Sequence, residues 1–172
     1  MRTNDIIVYI VEGETEQQII KAIKNKYIVA GRIYVQNLTQ SEISQTFIRT
    51  LKPKTKVVIV FDTDVEKDHA VDTLRDNIKK LRKSSQVKQV ISLPQIKNIE
   101  DEIVYSTKVK TIRDLINSKS EKDFKRDLIN THESHILSAL EKKHFDIVKF
   151  WSRDPQNCYC EFKNESKNVK MK

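Results

Sequence analysis

At 172 residues the chain is long enough to close one full hydrophobic core, and its size favours one domain with an elaboration over two independent domains. Charged residues make up 33% and hydrophobic ones 38%, and no apolar run approaches the ~20 residues that crossing a bilayer takes, which excludes a membrane-spanning chain. The formal charge of +8 points to a polyanionic partner such as nucleic acid, because Lys and Arg that neutralise phosphates release counterions; a Lys-, Asn- and Ile-rich codon bias would give the same excess, so placement has to decide.

The first apolar run, IIVYIV over residues 6–11, is continuous and β-rich, the pattern of a strand buried on both faces. MRTND precedes it and Glu12 and Glu14 follow it, so it lacks the small-residue cleavage pattern of a secretory signal. The expected location is a reducing cytoplasm, with Cys158 and Cys160 as free thiols. Ile19, Ile20, Ile23 and Tyr27 then recur at helical spacing, IYVQNL from Ile33 reads as a short strand, and Ile43, Phe47 and Leu51 mark a second helix. Val57 to Phe61 is another strand buried on both faces. Ala70, Leu74, Ile78 and Leu81 give a third helix, and Val87 to Leu93 a fourth strand ending before Pro94. Strands alternating with helices predict an open, mainly parallel four-stranded α/β sheet of Rossmann-like type over residues 1–95.

From Ile99 the periodicity becomes helical, through Ile112, Leu115 and Ile116, then Phe124 and Leu128, then Ile136, Leu137 and Leu140. Ser120 with Asp123, and Asn130 with Glu133, have the spacing of capping boxes. A last apolar cluster at Phe145, Val148, Phe150 and Trp151 precedes Pro155, and the Lys-rich tail after Glu165 is expected to fray. Residues 96–172 thus read as a helical extension packed on the core in one folding unit.

Acidic residues follow three of the four strands: Glu12 the first, Asp62 and Asp64 the third, and Glu100 and Glu102, in NIEDEI, the fourth. In a parallel sheet those positions converge on the rim at the carboxyl ends of the strands, where ligands bind. Crowded carboxylates repel one another unless a cation lies among them, and hard oxygen ligands without a nearby cysteine indicate Mg2+ or Mn2+ rather than zinc. Gly13 is one of only two glycines, which predicts a turn needing positive φ or close backbone approach.

Together, IIVYIVEGETE and VVIVFDTD resemble the Toprim domain, the metal-binding catalytic module of topoisomerases, bacterial primases, recombination mediators and a group of small nucleases. The likeness covers about residues 5–95: an apolar strand ending in Glu-Gly, then, two βα units on, one ending in Asp-x-Asp. By that resemblance Glu12 is a general acid or base that also binds metal, and Asp62 and Asp64 are metal ligands. The VEGETE form, with Glu16 one helical turn on, is most similar to the nucleases of the overcoming-lysogenization-defect group, which implies Glu16, Glu100 and Glu102 as further ligands for a second ion. The chain departs from primases and topoisomerases in reading DTDVEKD where they carry a glycine turn, with Thr63 and Glu66 at capping-box spacing. It has no P-loop and no room for strand-passage gates, so the resemblance implies a stand-alone Mg2+- or Mn2+-dependent nuclease acting on DNA or structured RNA, with an ATPase or other protein partner in trans as an option. The alternative is a non-catalytic module that keeps the Toprim scaffold to bind nucleic acid or a partner protein.

Three rival readings use the same residues. A haloacid-dehalogenase-type phosphatase would need Thr where Glu66 stands, and a phospho-receiver would need a lysine after a fifth strand. His132 and His135 with Cys158 and Cys160 have zinc-ligand chemistry without the spacing of a finger. Among basic residues, Arg49, Lys52, Lys54, Lys56, Lys79, Lys80, Arg82, Lys83 and Lys88 lie toward the strands' amino ends. Lys67, Lys97, Lys108, Lys110 and Arg153 are the candidates for gripping phosphates near the metal, with Trp151 either a stacking platform or core.

Overall fold

A computed structural model describes residues 6–171. Four strands, β1 (Ile7–Val11), β2 (Arg32–Val35), β3 (Thr55–Asp62) and β4 (Val87–Gln95), form one sheet in the order β2-β1-β3-β4. Every pairing is parallel, with Tyr9 opposite both Ile33 and Val58, and Val58 opposite Ile91. Helices α1 (Glu14–Ile23), α2 (Gln45–Thr50) and α3 (Asp68–Arg82) connect the strands, and α4 (Ile99–Ser106), α5 (Glu121–Ile129) and α6 (Glu133–Lys142) form the extension. The chain is an open, Rossmann-like α/β fold with C-terminal helices. No helix among the described residues is long and apolar enough to cross a membrane.

The period of two along each strand divides the core. Tyr9, Val11, Val58 and Val60 face one side, where they pack with Ile19, Ile20 and Ile23 of α1 and with Phe124, Leu128, Ile136 and Leu140 of the extension. Val8, Ile10, Val57, Ile59 and Phe61 face the other, against Leu74, Ile78 and Leu81 of α3 and against Tyr159 and Phe162. Both central strands are therefore covered on both faces, which is why they read as unbroken apolar runs.

Several local expectations change. Strand β4 continues through Pro94, which pairs in register with Phe61; an edge strand tolerates the missing N–H. Asn130 ends α5, its N–H reaching the Arg126 carbonyl, and His132 caps α6 by accepting the Ser134 N–H on its ring. Ser120 caps α5 as its spacing predicts. Helix α3 starts at Asp68, not behind a Thr63–Glu66 box, because the buried Thr63 hydroxyl donates instead to the Gln95 carbonyl at 2.8 Å. Phe150 and Trp151 are fully buried while Val148 is 73% exposed, so the stacking platform is overturned in favour of core packing. The tail after Glu165 docks rather than frays: Val169 is buried, and its carbonyl accepts the Val29 N–H at 2.9 Å.

Glu102 holds this C-terminal segment in place. It is fully buried and accepts from the Ile96 N–H at 2.9 Å, the Trp151 N–H at 3.2 Å and the Arg153 guanidinium at 2.8 Å. Beyond it, Asn157 donates to the Thr63 carbonyl at 2.8 Å and the Tyr159 hydroxyl to the Val65 carbonyl at 2.9 Å, so the segment braces the turn after β3. Glu102→Leu leaves the buried Trp151 N–H and the half-buried Ile96 N–H and Arg153 guanidinium without their acceptor, and a loss of roughly 3 kcal/mol is expected in urea unfolding; an unfolding curve matching wild type would contradict this anchoring.

Candidate metal centre

In the order β2-β1-β3-β4 the chain leaves β1 toward β2 on one side and returns to β3 on the other, so the carboxyl ends of β1 and β3 flank the topological switch point of the sheet. Glu12 is the first residue past β1 and Asp62 the last of β3. The register Ile10 to Ile59 brings them together, and the Asp62 N–H donates to Glu12 Oε1 at 3.2 Å. Two residues just past β2 complete the setting: Asn37 Nδ2 donates to Glu12 Oε2 at 3.0 Å, and the Thr39 hydroxyl lies 3.5 Å from Oε1.

Burial dominates the electrostatics. It pushes Glu12 up to about 7, with Glu16 and Asp64 adding repulsion and the donors from Asp62 and Thr39 opposing it. Asp62 is pushed up to about 9, by burial first and then by Glu12, Glu16, Asp64 and Glu100 in turn, and its Oδ1 is buried with no hydrogen-bond partner. Glu16 is also raised by burial and by Glu100, while the Glu16 and Gly13 N–H groups and Lys125 act the other way. Asp64 is exposed in the turn after β3. Glu100, in the first turn of α4, has a mostly buried side chain whose Oε2 lacks a partner.

Gly13 has φ −147° and ψ 179°, an extended conformation open to any residue, so the expected positive φ is absent. A Cβ there would stand 3.0 Å from Glu16 Oε2, the end of a flexible side chain, and would ask that carboxylate to shift by a few tenths of an ångström.

The structure thus brings Glu12, Glu16, Asp62, Asp64 and Glu100 into one electrostatic cluster. Glu102 does not join it, since residues two apart on a helix do not share a face, and its oxygens are committed to Ile96, Trp151 and Arg153. Arg153 is likewise removed from the phosphate-gripping set, held between Glu102 and the face of Tyr105 at 4.1 Å. Lys67 and Lys97 are exposed on the turns beside Asp64, and Lys97 lines a cavity of about 420 Å3 with it. Lys108 and Lys110 are exposed after α4, where the Lys108 N–H bonds the Lys143 carbonyl on the extension.

Lys125 on α5 was not among the sequence candidates, yet its ammonium lies 3.2 Å from Glu100 and is held above its ordinary range by Glu100, Glu16 and Asp62 against the effect of burial. No three His, Cys, Asp or Glu side chains among the described residues are arranged to hold an ion as they stand. The cluster still fits a hard divalent cation in its chemistry: every candidate ligand is a carboxylate oxygen, and Asp62 Oδ1 is buried and unsatisfied. Cys158 and Cys160 are exposed free thiols. Comparison with protein-family models, curated proteins and solved structures matches none to this chain, so the Toprim-like motifs stand on their residues alone.

Glu12 and Asp62 hold their protons more tightly here than at their ordinary values of 4.5 and 3.8. Their contribution therefore favours the fold below those values and is lost as pH rises through about 7 and about 9. In EDTA, Asp62→Asn is expected to melt above wild type by a margin that widens from about pH 5 to pH 9, reaching a few °C. A margin that is constant or shrinks with pH would contradict the buried, repelled carboxylate.

Proposed function

We propose that the chain is a divalent-metal-dependent nuclease of Toprim type, cleaving phosphodiester bonds in DNA or structured RNA. The observation that carries this reading is the buried, unpartnered Oδ1 of the half-buried Asp62 beside Glu12 at the switch point of the sheet, in a cluster whose repulsion a cation relieves. Asp62 and Asp64 would hold Mg2+ or Mn2+, with Glu16 and Glu100 supplying oxygens for a second ion. A bound ion there would polarise a phosphoryl oxygen and acidify water. Glu12, oriented by Asn37 and raised by burial while no ion is bound, is the carboxylate placed to take or give a proton. Lys67 and Lys97, exposed beside Asp64, offer ammonium groups to the neighbouring phosphates.

A second reading, a non-catalytic module that binds nucleic acid or a partner protein, is favoured by Lys125, which already neutralises Glu100. One experiment separates the two. Single-stranded DNA, duplex DNA and a structured RNA are incubated with Mg2+, with Mn2+ or with EDTA. Cleavage is expected only with an ion and is expected to fall by at least roughly 100-fold in Asp62→Ala with Asp64→Ala. Activity that survives the double substitution defeats the mechanism. Metal-independent binding of all three substrates without cleavage favours the module.

A further inference from the structure

A cavity of about 490 Å3 lies in the extension, and none of the clustered carboxylates lines it. One wall is α6: His135, Ala139 and Lys142 follow at i, i+4 and i+7, so they share a face, and Lys143 closes the end of that wall. The opposite wall is the stretch after the Ile112–Leu115 turn, with Ile116 half-buried and Asn117 held at φ 56°.

The charges lining this cavity have one sign. Lys142 and Lys143 face it, and among the described residues no acidic side chain lines it. Asp114, the carboxylate that feels Lys143, is committed elsewhere: it accepts the Thr111 N–H at 3.1 Å and the Thr111 hydroxyl at 3.0 Å, and stands 3.8 Å from Arg113. With Asp114 shared between Arg113 and Lys143, the Lys142–Lys143 end keeps a net positive charge, which selects an anion. A bare anion, however, would use neither the volume nor the apolar surface of Ile116 and Ala139. The volume is that of a pocket for a small organic ligand.

We infer that this cavity binds a nucleotide, with its phosphate at Lys142 and Lys143 and its base between Ile116 and Ala139. The nucleotide is either a free molecule or one unit of a nucleic-acid strand, since both present the same phosphate and base. No residue of the carboxylate cluster contributes, so this inference stands apart from the nuclease reading.

The test is calorimetric titration in EDTA, which takes metal chemistry out of the measurement, with AMP, inorganic phosphate and a 12-nucleotide oligothymidylate as probes. Two folded variants, checked by circular dichroism, act on different features: Lys142→Glu with Lys143→Glu reverses the charge, and Ala139→Trp fills the cavity while keeping it. Saturable AMP binding, at least roughly tenfold tighter than phosphate and weakened at least roughly tenfold in both variants, is the result expected for a free nucleotide. Oligothymidylate binding weakened to that extent in both variants, with no binding of AMP, assigns the site to a strand. The inference is overturned if AMP binds no tighter than phosphate with the strand insensitive to the variants, if both probes bind either variant as they bind wild type, or if neither probe saturates.

Discussion

Everything at the acidic rim depends on two carboxylates held side by side where water cannot fully reach them. Glu12 and Asp62 end the two central strands, the parallel register of those strands leaves them adjacent, and the Asp62 N–H fixes one Glu12 oxygen. Burial makes their ionised forms costly, and the nearby Glu16, Asp64 and Glu100 make them costlier. A fold with stability as its only requirement would replace Asp62 by an apolar residue or give it a donor. Keeping an acid with an unsatisfied buried oxygen at a sheet switch point is the departure from local consistency that functional sites show.

The helix after β4 shows how one turn can serve two purposes. Glu100 and Glu102 are two residues apart on α4, so they project from different faces. Glu100 faces the cluster and meets Lys125, whereas Glu102 faces inward and locks Trp151 and Arg153. The segment so locked then runs to Asn157 and Tyr159, which brace the turn carrying Asp64. A structural acid and a candidate functional acid thus cooperate: the first anchors the chain that steadies the loop on which a partner of the second is carried.

What the sequence made legible follows from where information is local. Strands β1 and β3 were readable because burial on both faces leaves continuous apolar runs, and the sites of Glu12 and Asp62 followed from the rule that ligands gather at strand carboxyl ends. Asn37, Thr39 and Lys125 were not readable, because their contact with the carboxylates is made by tertiary approach across 25 residues or more of chain in the case of Asn37 and Glu12. The choice between Glu100 and Glu102 needed the direction of α4, and Arg153 looked like a free cation until its buried partner was known. Capping spacing misled at Asn130 and Thr63, where the side chains found stronger local uses: ending α5 in one case and joining β4 to the Asp-x-Asp turn in the other. Gly13 meets neither expected constraint: its φ is extended, and its close neighbour is the end of the Glu16 side chain rather than backbone.

The claim at the centre of this account is that the rim carboxylates close around a divalent cation. Anomalous diffraction from crystals equilibrated with Mn2+ tests it most directly. The account predicts a Mn2+ peak coordinated by Asp62 together with Glu12 or Asp64, with Lys125 drawn off Glu100 if a second ion binds. A data set in which Mn2+ is absent from the rim while the Lys125–Glu100 pair stays closed would contradict it.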